Sequence, residues 1–151
     1  MRIIFFLIII FLAVPVAAHS ATVDIPVPFT SQAPAVNWKE PWKNACEETA
    51  IAMIAAYYAG DRSERLKPTT ARAAILALFK IKNKSFGWSL DEDADKIVKI
   101  INNSYSWQAR VVENPSIPDI QAEIDAGRPV IVPAYGRTLK NPHFRKPRRI
   151  I

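Results

Sequence analysis

Apolar residues recur with a helical period in four places along this chain, and the first is the clearest. Behind Asn44, with Glu47 three positions on, the residues Cys46, Ala50, Met53, Ile54 and Tyr57 fall at helical spacing. That is one stripe of a helix with a capping-box start, and Gly60 is its natural stop. A second helix is expected over 70–80, "TARAAILALFK", followed by a loop "NKSFGW" in which Lys82 and Lys84 are read as solvated. Ser89 with Glu92 makes a further capping pattern before Leu90, Ala94, Ile97, Val98 and Ile101. Ser116 caps a fourth helix with Pro118 in its first turn, Ile117, Ile120 and Ile124 facing inward, and Gly127 at its end.

Two stretches lack that period. "WQARVV" (107–112) reads as a short strand, and the continuous β-branched run at 130–132 in "RPVIVPAYG" as a buried one. Residues 22–43 hold Pro26, Pro28, Pro34 and Pro41 and no helical repeat, so they are expected to run over the surface as an arm or edge strand. Helices first and strands late give an α+β class for the body of the chain. The sheet looks unfinished, since "RTLKNPHFRKPRRII" after Gly136 offers no further strand.

The chain opens with "MRIIFFLIIIFLAVPVAAHSA": Arg2, then an almost wholly apolar 3–14, then Pro15 and small residues with a cut expected after Ala18 or Ser20. Residues 1–20 are therefore read as a secretory signal peptide. The apolar run is short against the roughly 20 residues of a membrane span, so an uncleaved anchor through 3–14 is the lesser reading. No cysteine follows that run, which excludes lipid attachment there. The expected location is secreted, periplasmic or cell-envelope, with one domain over 22–144 and a basic tail over 145–151.

Net charge is +6, yet it does not mark a nucleic-acid binder. Arg2 lies in the signal, and Arg145, Lys146, Arg148 and Arg149 lie in the tail. Without those five, 15 of the 20 basic groups stand against 14 acidic ones. The body is near neutral, so no basic face is expected. The acidic run Asp91, Glu92, Asp93 and Asp95 lacks the glycine and spacing of an EF-hand loop and reads as a charged helix start. No His, Cys and Asp cluster has ligand spacing, so neither cofactor nor metal is expected.

The chemistry gathers at Cys46, the only cysteine. One cysteine in an exported chain is a free thiol or an interchain link. With Asn44 as cap, Cys46 stands at the second helical position, where backbone N–H groups and the helix dipole favour a thiolate, with Lys39 and Lys43 helping and Glu47 and Glu48 opposing. Its phase with the apolar stripe points it inward or along a cleft edge; the plain alternative is a buried cysteine serving as a small hydrophobe. Gln32 upstream has the side-chain amide that an oxyanion site uses. Trp38 and Trp42 either wall a cleft or cover the core edge.

"VPFTSQAP…NWKEPWKNACEETAIAMIAAYY" together with "ENPSIPDIQAEIDAGRPVIVPAYGRTLKNPHF" resembles the C39-like cysteine peptidase family in its bacterial exported branch. The resemblance implies a papain-like fold, here an incomplete one with N-terminal helices and a short antiparallel sheet. It implies Cys46 as nucleophile, Gln32 as oxyanion donor, and hydrolysis of a peptide or amide bond in a peptide or protein substrate through a thioester. The family's base is a histidine on a strand beyond the "NPxF" turn, with an Asp further on. His143 lies inside that turn, His19 lies in the signal, and the chain stops at Ile151. The expectation is therefore half a catalytic site, inactive in this chain, with a catalytically dead binding module on the same scaffold as the alternative.

Overall fold

The computed structural model describes residues 22–88 and 92–134. Helix α1 spans Cys46–Tyr58, α2 Pro68–Phe86, α3 Ala94–Ser104 and α4 Ile117–Asp125, with a short 3-10 turn at Trp42–Asn44 just ahead of α1. The signal segment, Ser89, Leu90, His143 and the basic tail lie outside the described residues.

α1 is apolar on nearly every side, so its sequence leaves its phase open, and packing chooses it. Ile51 and Ala52 of α1 meet Ile75 and Leu78 of α2, while Ile97, Ile100 and Ile101 of α3 close the cluster with Ala33 and Trp42 from the arm and Ala45 at the start of α1. The buried face of α1 includes Glu48, Thr49, Ile51, Ala52 and Ile54. Of the expected stripe, Ile54 is buried and Ala50, Met53 and Tyr57 are half-buried, but Cys46 at its head is exposed rather than turned inward. Each buried Ile or Leu contributes about 1.5–3 kcal/mol by leaving water.

Helix ends follow their residues closely in two places. Gly60 takes φ 87° and Gly127 φ 70°, conformations that a Cβ disfavours. At α1, Gly60 N–H donates to Tyr57 O and Asp61 N–H to Ala56 O; at α4, Gly127 N–H donates to Ile124 O and Arg128 N–H to Glu123 O. Both are Schellman endings. Ser116 caps α4 in a reciprocal box with Asp119. α3 begins later than expected, on an Asp93 cap that accepts from Lys96 N–H.

The α+β expectation with its incomplete antiparallel sheet is corrected: the described residues are helical and contain no strand. Strand-like pairing among them is the isolated parallel bridge Phe29–Arg65, by which the arm is fastened to the α1–α2 connection. The two expected strands fail for different reasons. In 107–112, Ala109 has both its backbone groups taken by the Asn102 side chain, which donates to Ala109 O at 3.1 Å and accepts from Ala109 N–H at 2.7 Å. An amide side chain does there what a neighbouring strand would do. In 130–132 only Ile131 packs against the core, while Val130 and Val132 are exposed. The β-branched run is not a continuous buried strand.

α4 buries none of its residues. Ile117, expected to face inward, is 68% exposed. The helix is moored through its polar groups: Tyr57 Oη donates to Gly127 O at 2.9 Å, and Glu123 pairs with Arg110 and Arg128. No helix among the described residues is long and apolar enough to cross a membrane.

Candidate functional site

The arm reaches α1 through Gln32. Its Nε2 donates to Trp42 O at 3.0 Å and to Lys43 O at 2.8 Å, holding the 3-10 turn that delivers the chain to Cys46. Trp42 is buried with the Arg72 guanidinium over its ring, whereas Trp38 is exposed. Of the two tryptophans, Trp42 covers the core edge. Asn44 lies inside the 3-10 turn and donates to Glu40 Oε1 at 2.9 Å, so it does not cap α1. Ala45 precedes the helix and Cys46 is its first residue, one position earlier than expected.

Gln32 and Cys46 are therefore brought to the same helix entrance. Their detailed roles in this arrangement are narrower. Both hydrogens of the Gln32 amide are directed at carbonyl oxygens, so its donor capacity is used in building the turn. The first-turn N–H groups of α1 have no partner within the helix and are the donors left for an anion.

The thiol does not gain the acidity expected at a helix start. Cys46 Sγ donates to Glu47 Oε2 at 3.0 Å. Partial burial of the sulfur and the adjoining Glu47 carboxylate push its pKa up to about 11, against a smaller pull downward from the backbone N–H groups of Glu47 and Cys46. Both carboxylates of the first turn, Glu47 and Glu48, occupy the end where the dipole favours negative charge. With a pKa of about 11, the thiol rather than the thiolate is the prevailing form near neutral pH.

Glu47 is fixed from a second side, since its Oε1 accepts from Glu92 N–H at 3.3 Å just ahead of α3. Three described segments thus converge on the thiol: the arm through Gln32, α1 through Cys46 and Glu47, and the entrance of α3 through Glu92. Glu92 itself is buried and pairs with Lys96 at 3.0 Å. The acidic run read as a charged helix start supplies this contact.

Sequence reasoning missed the pair Glu48–Lys82. Lys82, expected in a solvated loop, lies in the last third of α2, is 1% exposed, and puts Nζ 2.7 Å from Glu48 Oε1. A signal for it exists in retrospect. Lys82 continues the α2 face of Ala71, Ile75 and Leu78 at spacings of four, three and four residues. A surface hollow of about 350 Å³ lies elsewhere, over the α1–α2 connection, lined by Asp61, Ser63, Arg65, Leu66, Lys67 and Thr70. Among the described residues no group of three or more His, Cys, Asp or Glu could hold a metal ion. His143 lies outside them, so its distance from Cys46 is not part of this geometry.

No curated protein and no solved structure matches the chain. A family model does, over residues 24–147, which takes in the arm, all four helices and the "NPHF" motif. With Cys46 opening α1 and most of its length matched, the chain belongs to the Peptidase_C39 like family, and its function is peptidase-related.

Proposed function

We propose that the protein is an exported cysteine hydrolase acting on peptide or amide bonds, with Cys46 as nucleophile and Gln32 in the oxyanion site, and that the arrangement described is a catalytically silent one. The observation that carries the reading is the exposed thiol at the first position of α1 in a chain of this family. An exposed sulfur at a helix N-terminus has access to an acyl carbon and backbone donors for the oxyanion beside it.

In the reaction the sulfur would bond to the carbonyl carbon, the amine would leave with a proton, and water would then release the acid from the thioester. A thiol held at about 11 gives up its proton only to a base stronger than the hydrogen-bond acceptor it has here. A base from outside this contact set is required, and the raised thiol together with the occupied Gln32 amide favours a second reading, a binding module on the same scaffold.

The experiment is labelling of the full chain with a thiol-directed acyl-mimic probe, beside hydrolysis of an unstructured protein, with Cys46→Ser as control. Cys46-dependent labelling and cleavage support the hydrolase. Peptide binding that survives in Cys46→Ser, without cleavage by either protein, supports the binding module. Export rests on residues 1–20, and a mature N-terminus near Ala18 to Ala21 in the secreted fraction is its expected result. An intact residue 1 in membranes would favour an anchor through 3–14.

A further inference from the structure

Four carboxylates stand on the segments around the helix entrance, and they are not equivalent. Glu48 has Lys82 at 2.7 Å, Glu92 has Lys96 at 3.0 Å, and Glu40 takes the Asn44 amide at 2.9 Å. Glu47, the one against the thiol, has no Lys or Arg within ion-pair distance among the described residues. It is half-buried and held in place by two donors, Cys46 Sγ on one oxygen and Glu92 N–H on the other. A group approaching the sulfur therefore meets a fixed negative charge about one hydrogen bond away, with no cation paired to it among the described residues.

We propose that Glu47 is the specificity-determining residue of this site, selecting peptides that place a cationic group, a Lys or Arg side chain or a free amine, beside the bond presented to Cys46. The inference rests on Cys46 being the reacting residue. The charge acts twice. A cation near Glu47 gains a Coulombic partner in a partly shielded setting, where such contacts are worth more than in open water. The same cation offsets the carboxylate's opposition to the thiolate, so the group that binds also favours the reactive form of the sulfur. An acidic group at that position meets repulsion and leaves the thiol protonated.

The test uses disulfide-forming probes of one shape and different charge on the full chain: the trimethylammonioethyl, methyl and sulfonatoethyl methanethiosulfonates, with 2-mercaptoethanol as the free-thiol reference. The expected result is a cationic-to-anionic rate ratio at Cys46 about tenfold or more above the reference. That ratio should fall toward the reference in Glu47→Gln. In the wild-type chain 1 M salt should compress it, since the Debye length drops to about 3 Å. A wild-type ratio equal to that of 2-mercaptoethanol overturns the proposal, as does a ratio unchanged in a folded Glu47→Gln. If Glu47→Gln does not fold, the salt series on the wild-type chain decides alone. These rates require no hydrolysis, so a chain that selects by charge but cleaves nothing favours the binding module over the hydrolase while leaving the charge selection by Glu47 intact.

Discussion

Lys82 Nζ lies 2.7 Å from Glu48 Oε1 with both side chains 2% exposed, and this pair joins α1 to α2 directly behind the residue that carries the thiol. Two helices that pack through Ile51, Ala52, Ile75 and Leu78 could slide or rotate with little loss of apolar contact. A buried ion pair at one end allows a single rotation. It is this pair that turns Glu48 inward and leaves Cys46, two residues earlier, on the exposed side.

Removing one partner of such a pair is costlier than removing both. Lys82→Met should lower stability by about 3–5 kcal/mol, because it leaves a buried carboxylate uncompensated. The double variant Glu48→Gln, Lys82→Met should recover much of that loss. Urea unfolding of the wild type and the three variants measures both effects. A Lys82→Met cost within 0.5 kcal/mol of zero would mean that the pair is open to water.

Glu48 also predicts the sign of a pH effect. Burial outweighs the Lys82 ammonium and holds its pKa above the ordinary carboxylate value of 4.5. An acid whose pKa is raised on folding binds more protons folded than unfolded, so its contribution to stability falls as pH rises from about 4.5 through the folded value. Relative to the Glu48→Gln, Lys82→Met variant, the wild type should lose stability across that window. Asp61, Asp119 and Glu123 have pKa values lowered by their partners and act in the opposite direction at lower pH, which is why the comparison is made against the double variant.

What the sequence made legible divides along the same line. Local signals were read directly: Gly60 and Gly127 as helix ends, Ser116 as a cap, and Ile97 and Ile101 in the core. Signals that depend on a distant partner were not. "CEETAIAMIAAYY" is apolar around most of its circumference, so distant partners decide which face is buried, the core residues of α2 and α3 and Lys82 more than thirty positions away. The β-branched run at Val130 to Val132 has strand propensity, yet propensity supplies no neighbouring strand. Ala109 found an Asn102 side chain instead. At the site, the position of Cys46 at a helix start was legible within one residue. The sign of its pKa shift was not, because it turns first on partial burial of the sulfur and then on Glu47 lying within hydrogen-bond reach of it.

The core prediction contrasts two apolar residues of one size class. Ile75 is fully buried between α1 and α2, whereas Val132 is 60% exposed. Ile75→Ala should cost about 2–5 kcal/mol, from lost transfer energy plus the cavity left behind. Val132→Ala should cost less than about 0.5 kcal/mol. The urea midpoint should fall sharply for the first and scarcely move for the second. A large cost at Val132 would show that the extended segment is covered in solution.

The thiol offers the most direct reading of the site's electrostatics. Alkylation by neutral iodoacetamide follows the thiolate fraction, so the rate at Cys46 should still be climbing tenfold per pH unit between pH 8 and pH 10, given a pKa near 11. Burial is the largest cause of the shift and Glu47 supplies the next two contributions, as hydrogen-bond acceptor and as neighbouring charge. Glu47→Gln keeps the side chain's shape and removes the charge, so it should bring the break in the profile down while leaving the part due to burial. Glu47→Ala should lower it at least as far, because the acceptor is lost too. Circular dichroism across the range checks that the helices persist where the rates are compared. A wild-type profile that levels off near pH 8.5, the ordinary thiol value, would mean that the Cys46–Glu47 hydrogen bond does not persist in solution. Only a break well below that value would mean that the backbone N–H groups opening α1 set the acidity of Cys46, as its place at the head of the helix first suggests.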